Sequence, residues 1–207
     1  MTKNSKIVFG IDEVGRGPLA GAVFACAITA PAGLKIRNES LKIKIQNSEF
    51  SDSKKLNQRQ REEIYEALKK NPSVKWGIGR ISEKVIDEVN ILQATKLAMI
   101  KAVRGLEKKI ARPADLLLID GNFSIDVARE QQSIIRGDEK MFLIALASIV
   151  AKVERDRFML NAHKKYPQYG FDRHKGYGTR LHIEMIKRLG PCPLHRQTFA
   201  PINKPLI

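Results

Sequence analysis

Two short apolar runs in this chain, IVFGID (7–12) and LLLID (116–120), each stop on an aspartate. Few features restrict a fold more. A continuous apolar run of this length, bounded by a turn signal, suits a strand buried on both faces. Pro113 precedes the second run and Gly121-Asn122 follows it. In open α/β sheets, chemistry gathers outside the carboxyl ends of the strands. If the two runs are parallel neighbours, Asp12 and Asp120 meet at one edge of the sheet. Glu13 follows Asp12 directly, and Asp138 in RGDEK lies downstream before a long apolar segment. Four acids then converge: Asp12, Glu13, Asp120 and Asp138.

Converging carboxylates repel and resist burial unless they are protonated or neutralised by cations. An all-oxygen ligand set selects hard ions such as Mg²⁺ or Mn²⁺. The rest of the chain says what such ions would act on. Lys and Arg number 37 against 22 Asp and Glu, a formal charge of +15 with a pI near 9.9. That balance suits a polyanionic partner. A polyanion binder with a carboxylate cluster points to two-metal phosphodiester chemistry. One ion activates water and the other stabilises the leaving oxygen. The plainer readings are an N-cap for Asp138, a turn former for Asp120, and surface pairing for Asp12 and Glu13. Adjacent strand residues face opposite ways, so sharing one site requires that the strand end at Asp12, that Glu13 reach back, or that its carbonyl take part.

GRGPLA (15–20) also fits the glycine pattern of dinucleotide-binding loops. A strand-like run, GAVFACAIT, follows it where a helix should open, so that reading fails on context.

The remaining chain predicts strands and helices in alternation. VKWGIGRI places Val74, Trp76 and Ile78 on one strand face. Asn57 with Gln60 forms a capping box opening a helix through REEIYEALKK. Asn90 is an N-cap for a helix with the stripe Leu92, Thr95, Met99, Ala102, Val103 and Leu106. QSIIRG suggests another strand, and residues 138–166 one long helix. Thr179 caps RLHIEMIKRL, with Leu181, Met185 and Leu189 on one side, and Gly190-Pro191 stops it. Residues 35–52 read as a polar loop. The sum is an α/β domain with a mixed sheet, followed by a helical C-terminal region.

The uncharged stretch Pro18 to Leu34 is interrupted by Gly21, Thr29, Pro31 and Gly33. It falls short of the ~20 apolar residues that a spanning helix needs. Asp12 interrupts the first apolar run, which argues against a signal peptide. Cys26 and Cys192 lack framework spacing, which fits a reducing cytosol. Cys192 and His195 in CPLH form at most half a zinc site, and a structural role is the expectation.

Eight segments in order, GIDEVGRGPLAG, DSKKL (52–56), NILQAT (90–95), LLIDG (117–121), RGD (136–138), ASIVAKVERDR (147–157), YGFDRHKGYGT (169–179) and PLHRQTFAP (193–201), resemble bacterial ribonuclease HII, the type 2 ribonucleases H. The resemblance implies a ribonuclease H-like mixed five-stranded sheet flanked by helices. Residues 1–165 would form the catalytic domain, and 166–207 a helical substrate-binding extension packed on it. It implies a metal-dependent endonuclease acting on the RNA strand of RNA–DNA hybrids, including 5′ of single ribonucleotides embedded in DNA. The products would be a 3′-hydroxyl and a 5′-phosphate. Asp12, Glu13, Asp120 and Asp138 become its catalytic quartet, holding two Mg²⁺ or Mn²⁺ ions. Glu139 and the residues after Asp138 depart from the small polar ones the pattern favours there. Gly15, Arg16 and Gly17 look like its substrate-reading loop, and Tyr177 like its sugar-stacking aromatic. Ser53, Lys54, Lys55 and Lys152 are expected phosphate contacts. A cytoplasmic monomer is expected. A non-catalytic nucleic-acid-binding module on the same fold is the alternative, and retention of all four acids argues against it.

Overall fold

The computed structural model describes residues 6–32, 34, 36–38, 43–45 and 56–203. Its centre is a five-stranded sheet in the order β5-β2-β1-β6-β7. The strands are β1 (Val8–Val14), β2 (Val23–Thr29), β5 (Lys75–Ile81), β6 (Leu116–Asp120) and β7 (Gln131–Ile134). β1 pairs antiparallel with β2 and parallel with β6, so the sheet is mixed. β6 is the parallel strand the apolar run predicts, flanked by β1 and β7.

Period-two alternation along these strands sorts side chains into two layers. Phe9, Ile11, Leu117 and Ile119 face α2 (Glu83–Ile110). Cys26, Ile28, Val74, Trp76 and Ile78 face α1 (Gln58–Lys70) and α4 (Phe142–Lys165). The face assigned to VKWGIGRI is therefore the observed one. α2 lies so close to β5 that an added Cβ on Gly79 would stand 1.8 Å from the Ala98 carbonyl oxygen. Only glycine admits that approach.

Local caps were readable. Asn57 and Gln60 form the reciprocal capping box of α1. The Asn90 side chain accepts from the Leu92 and Gln93 amides at 3.0 and 3.1 Å. Its backbone is non-helical, at φ 69°. A further helical segment, capped by Ser82, runs into it from the N-terminal side. Leu92 is 39% exposed and drops out of the predicted stripe, whose other members are buried.

Four expectations need correction. The long helix after Asp138 is broken at Met141, whose extended backbone separates α3 (Gly137–Lys140) from α4. Asp138 lies inside α3, and Arg136 occupies the N-cap position, so Asp138 is not a cap. The supposed loop 35–52 contains two short antiparallel strands, β3 (Ile36–Asn38) and β4 (Ile43–Ile45). α6 (Arg180–Leu189) begins at Thr179 as expected, but it buries His182 and Ile186 and leaves Leu189 exposed. Among the described residues no helix is long and apolar enough to cross a membrane.

Candidate metal centre and its surroundings

The register that pairs Ile11 with Ile119 brings Asp12 and Asp120 side by side at the carboxyl ends of β1 and β6. Oxygens of Asp12, Glu13 and Asp120 lie within 4.8 Å of one another. β1 continues through Val14, so the strand does not end at Asp12. Glu13 starts from the opposite face and still brings its carboxylate to the group.

These carboxylates are poorly compensated. Burial pushes the Asp12 carboxyl well above its ordinary value, and Glu13 and Asp120 push it further. A hydrogen bond with Ser148 and the Glu13 amide at 2.7 Å oppose the rise. Burial also raises Glu13, against the pull of Arg16. Arg16 Nη1 lies 3.2 Å from Glu13 Oε1, whereas the buried Glu13 Oε2 has no hydrogen-bond partner. An orphaned buried oxygen within an all-carboxylate group fits a divalent cation, and these residues can hold one. Asp120 Oδ1 accepts from the Gly137 amide at 2.6 Å, which ties β6 to the start of α3. Asp138 follows in sequence and is 3% exposed, but it is not among the carboxylates gathered within 4.8 Å.

Beside the acids runs the loop Gly15-Arg16-Gly17. Its carbonyls turn inward. Arg196 Nη2 donates to the Gly15 carbonyl at 2.6 Å and Nη1 to the Arg16 carbonyl at 2.8 Å. Its Nε and Nη2 both reach the Gly21 carbonyl. Arg155, equally buried, binds the carbonyls of Ala20 and Ala22 at 3.3 Å each. Gly15 takes φ +92°, and a Cβ there would lie 2.2 Å from Arg155 Nε. Glycine is required on both counts. Arg16 and Gly17 are exposed, and nothing lies within 4 Å of the Cβ position of Gly17.

Tyr177 is 40% exposed, with its ring 5.7 Å from the Arg155 guanidinium carbon and 6.0 Å from Lys152 Nζ. Its turn is stitched to the glycine loop by the Leu19 amide, which donates to the Gly176 carbonyl at 2.8 Å. Lys152 Nζ donates to Asp156 at 2.6 Å, so the ammonium expected on a phosphate is held in a half-buried ion pair. Ser53, Lys54 and Lys55 fall outside the described residues.

Sequence reasoning assigned no role to Arg155, Arg196, His174 or His182. Their motifs were visible, but nothing local marks an arginine as buried. The half zinc site is accounted for differently. His195 Nδ1 takes the Cys192 amide at 2.8 Å and its Nε2 meets His182. Among the described residues the one group of three or more with metal-ligand spacing is the carboxylate cluster.

Residues 9–202 match the family model for ribonuclease HII. The chain is 46% identical to ribonuclease HII of Chlamydia pneumoniae, over 99% of this chain and 88% of that one. It is 48% identical to that of Syntrophobacter fumaroxidans, over 96% and 78% respectively. The fold is similar to the crystal structure of ribonuclease H2 from Pyrococcus horikoshii, with TM-score 0.70, 23% identity and 95% of each chain covered. It is also similar to the Archaeoglobus fulgidus enzyme in its complex with PCNA, with TM-score 0.71, 22% identity, 93% of this chain and 95% of that one. With the carboxylates, the inward-turned glycine loop and near-complete coverage in agreement, the chain belongs to the ribonuclease HII family, endonucleases acting on the RNA of RNA–DNA hybrids.

Proposed function

We propose that this enzyme reads the RNA–DNA junction and cuts on the 5′ side of a ribonucleotide, including one embedded in duplex DNA, leaving a 3′-hydroxyl and a 5′-phosphate. One observation carries the reading. The glycine loop is held by Arg196, joined to the Tyr177 turn by the Leu19–Gly176 bond and to the carboxylate cluster by the Arg16–Glu13 ion pair.

Asp12, Glu13 and Asp120 are the residues that would hold Mg²⁺ or Mn²⁺, with Asp138 as the fourth acid of the site. Bound divalent ions, two in this reading, would supply an activated water and charge compensation at the leaving oxygen. The chain's own residues set where the scissile bond lies. With the Gly15 and Arg16 carbonyls held inward, the exposed Arg16–Gly17 segment offers its outer face to a ribose 2′-hydroxyl, which DNA lacks. The Tyr177 ring packs against the following deoxyribose, where a 2′-hydroxyl would crowd it. Arg16, which pairs with Glu13 at 3.2 Å, would be free to meet phosphate once that carboxylate were neutralised. Residues 166–203 act as the substrate-binding extension. Ser53, Lys54 and Lys55 meet phosphate, as does Lys152 if substrate draws it from Asp156. The enzyme works as a cytoplasmic monomer.

The test compares a DNA duplex carrying one ribonucleotide with an all-RNA hybrid. Tyr177→Ala is expected to lose about tenfold or more on the former, in line with the ~1–3 kcal/mol typical of aromatic stacking, and less on the latter. Equal activity of Tyr177→Ala and the unaltered protein on the one-ribonucleotide duplex removes Tyr177 from the site.

A further inference from the structure

Tyr177 stands in the turn between α5 (Phe171–His174) and α6, where its amide donates to the His174 carbonyl at 2.9 Å and its carbonyl accepts from the Thr179 amide at 2.8 Å, leaving one lone pair of that carbonyl for a further donor. Three buried histidines lie beneath that turn: His174, His182 and His195. The rings of His174 and His182 stack at 4.2 Å, and Nε2 of His182 lies 3.0 Å from Nε2 of His195.

Groups that can only donate or only accept fix the protons in this cluster. The Cys192 amide, 2.8 Å from His195 Nδ1, can only donate, so that nitrogen is an acceptor. One ring nitrogen cannot both accept from that amide and donate to the Cys192 carbonyl, which lies farther off at 3.2 Å and accepts from the His195 amide at 2.9 Å. The neutral His195 ring therefore carries its proton on Nε2 and donates it to His182 Nε2. His182 must then be protonated at Nδ1, which faces the Tyr177 carbonyl at 2.9 Å. By the same logic the Gly176 amide donates to His174 Nδ1 at 3.2 Å, and His174 Nε2–H donates to the Tyr169 carbonyl at 2.8 Å. Phe171 and Tyr169 line the cluster with rings 5.0 to 5.9 Å from those of His182 and His195. The charged groups acting on it are Asp172 and Lys175, both through His174. Burial lowers all three histidines, His182 down to about 4, so the rings are neutral near pH 7.

We propose that His182 and His195 are positioning residues for junction discrimination: His195 sets the tautomer of His182, and His182 holds the Tyr177 carbonyl so that the ring stands beside the glycine loop. The proposal rests on the reading of Tyr177 as the sugar-packing group and adds the residues that aim it. Neither histidine touches substrate.

Two measurements decide it. Nitrogen-15 spectra of the intact protein report the tautomers directly. The expected result is a proton on Nδ1 of His182 and on Nε2 of His195, and the reverse assignment overturns the proposal. The second is kinetic, with the one-ribonucleotide duplex and the all-RNA hybrid as substrates. His182→Phe keeps a ring and loses both nitrogens. It is expected to lower kcat/KM on the one-ribonucleotide duplex about tenfold, as a modest misplacement does, and to affect the hybrid less. His182→Asn, which keeps an N–H near the Nδ1 position, should recover most of the loss. In the Tyr177→Ala background His182→Phe should do nothing further, because a residue acting through Tyr177 has no one left to position. An equal loss on both substrates, or an undiminished loss in that background, overturns the proposal. If His182→Phe does not fold, His195→Leu carries the same substrate comparison. Tyr177→Ala alone reports on the parent reading, so the two failures are distinguishable.

Discussion

The carboxylates at the ends of β1 and β6 and the frame of Arg196 with three histidines behind the glycine loop are both buried polar clusters, yet they are built oppositely. Among the acids, like charges lie within 4.8 Å, burial and mutual repulsion raise Asp12, and Glu13 Oε2 has no partner. In the frame, Arg196 spends its donors on the carbonyls of Gly15, Arg16 and Gly21, and all six imidazole nitrogens of His174, His182 and His195 face a hydrogen-bonding group. A partly satisfied polar cluster is costly by itself and suited to taking up a charged ligand. A closed one fixes geometry instead. The comparison predicts different penalties on either side.

The largest effect belongs to the open cluster. Asp12→Asn or Asp120→Asn should lower cleavage by about a thousandfold or more, the upper range for loss of one group that stabilises transition-state charge. The melting temperature of the metal-free protein should hold or rise, because removing a repelling carboxylate relieves the cluster. Adding Mn²⁺ should raise the melting temperature of the unaltered protein and leave that of Asp12→Asn nearly still. Near-normal single-turnover cleavage by either variant would break the assignment.

The closed frame should answer in stability first. Arg196→Met strands three carbonyls, at about 1–3 kcal/mol for each buried group left unpaired. A loss of at least ~3 kcal/mol corresponds to roughly 6–12 °C in a chain of this size. A calorimetric shift under ~2 °C, where ~6 °C or more is expected, would mean the frame is not closed in solution.

The smallest effect separates the two clusters by sign. Asp12 and Glu13 are raised, so above their ordinary values of 3.8 and 4.5 the folded state holds more protons than the unfolded one. Their contribution falls as pH rises. His182 is depressed from 6.5 to about 4, so across that interval the unfolded state holds more protons and stability rises with pH. Between about pH 4.5 and 6.5 the terms oppose in the metal-free protein. Melting curves should therefore climb more steeply with pH in Asp12→Asn and less steeply in His182→Phe, where His174 and His195 still contribute a rise. Parallel profiles for all three proteins would contradict the contrast.

Local patterns carried much of the fold and the acid site. The apolar runs ending on Asp12 and Asp120 are strands whose carboxylates meet, because a parallel register places equivalent strand ends together. Asn57, Asn90 and Thr179 cap helices as their spacing predicts, since a cap is satisfied within three residues. Where a decision depended on distant packing, the pattern ran out. The break at Met141 lets the Gly137 amide reach Asp120, a contact spanning 17 residues that no helical period records. α6 turns His182 and Ile186 inward instead of its leucines, because the histidine cluster awaits it there.

By itself the sequence determined the alternation of strands and helices, the acids at the two strand ends, and a net positive charge, all written in neighbouring residues or in composition. Tertiary structure alone decided that Arg196 closes on Gly15 across 181 positions of chain, and that three histidines share protons beneath Tyr177. Hydrogen bonds between residues so far apart depend on the relative placement of whole elements, and no local period or propensity encodes that placement.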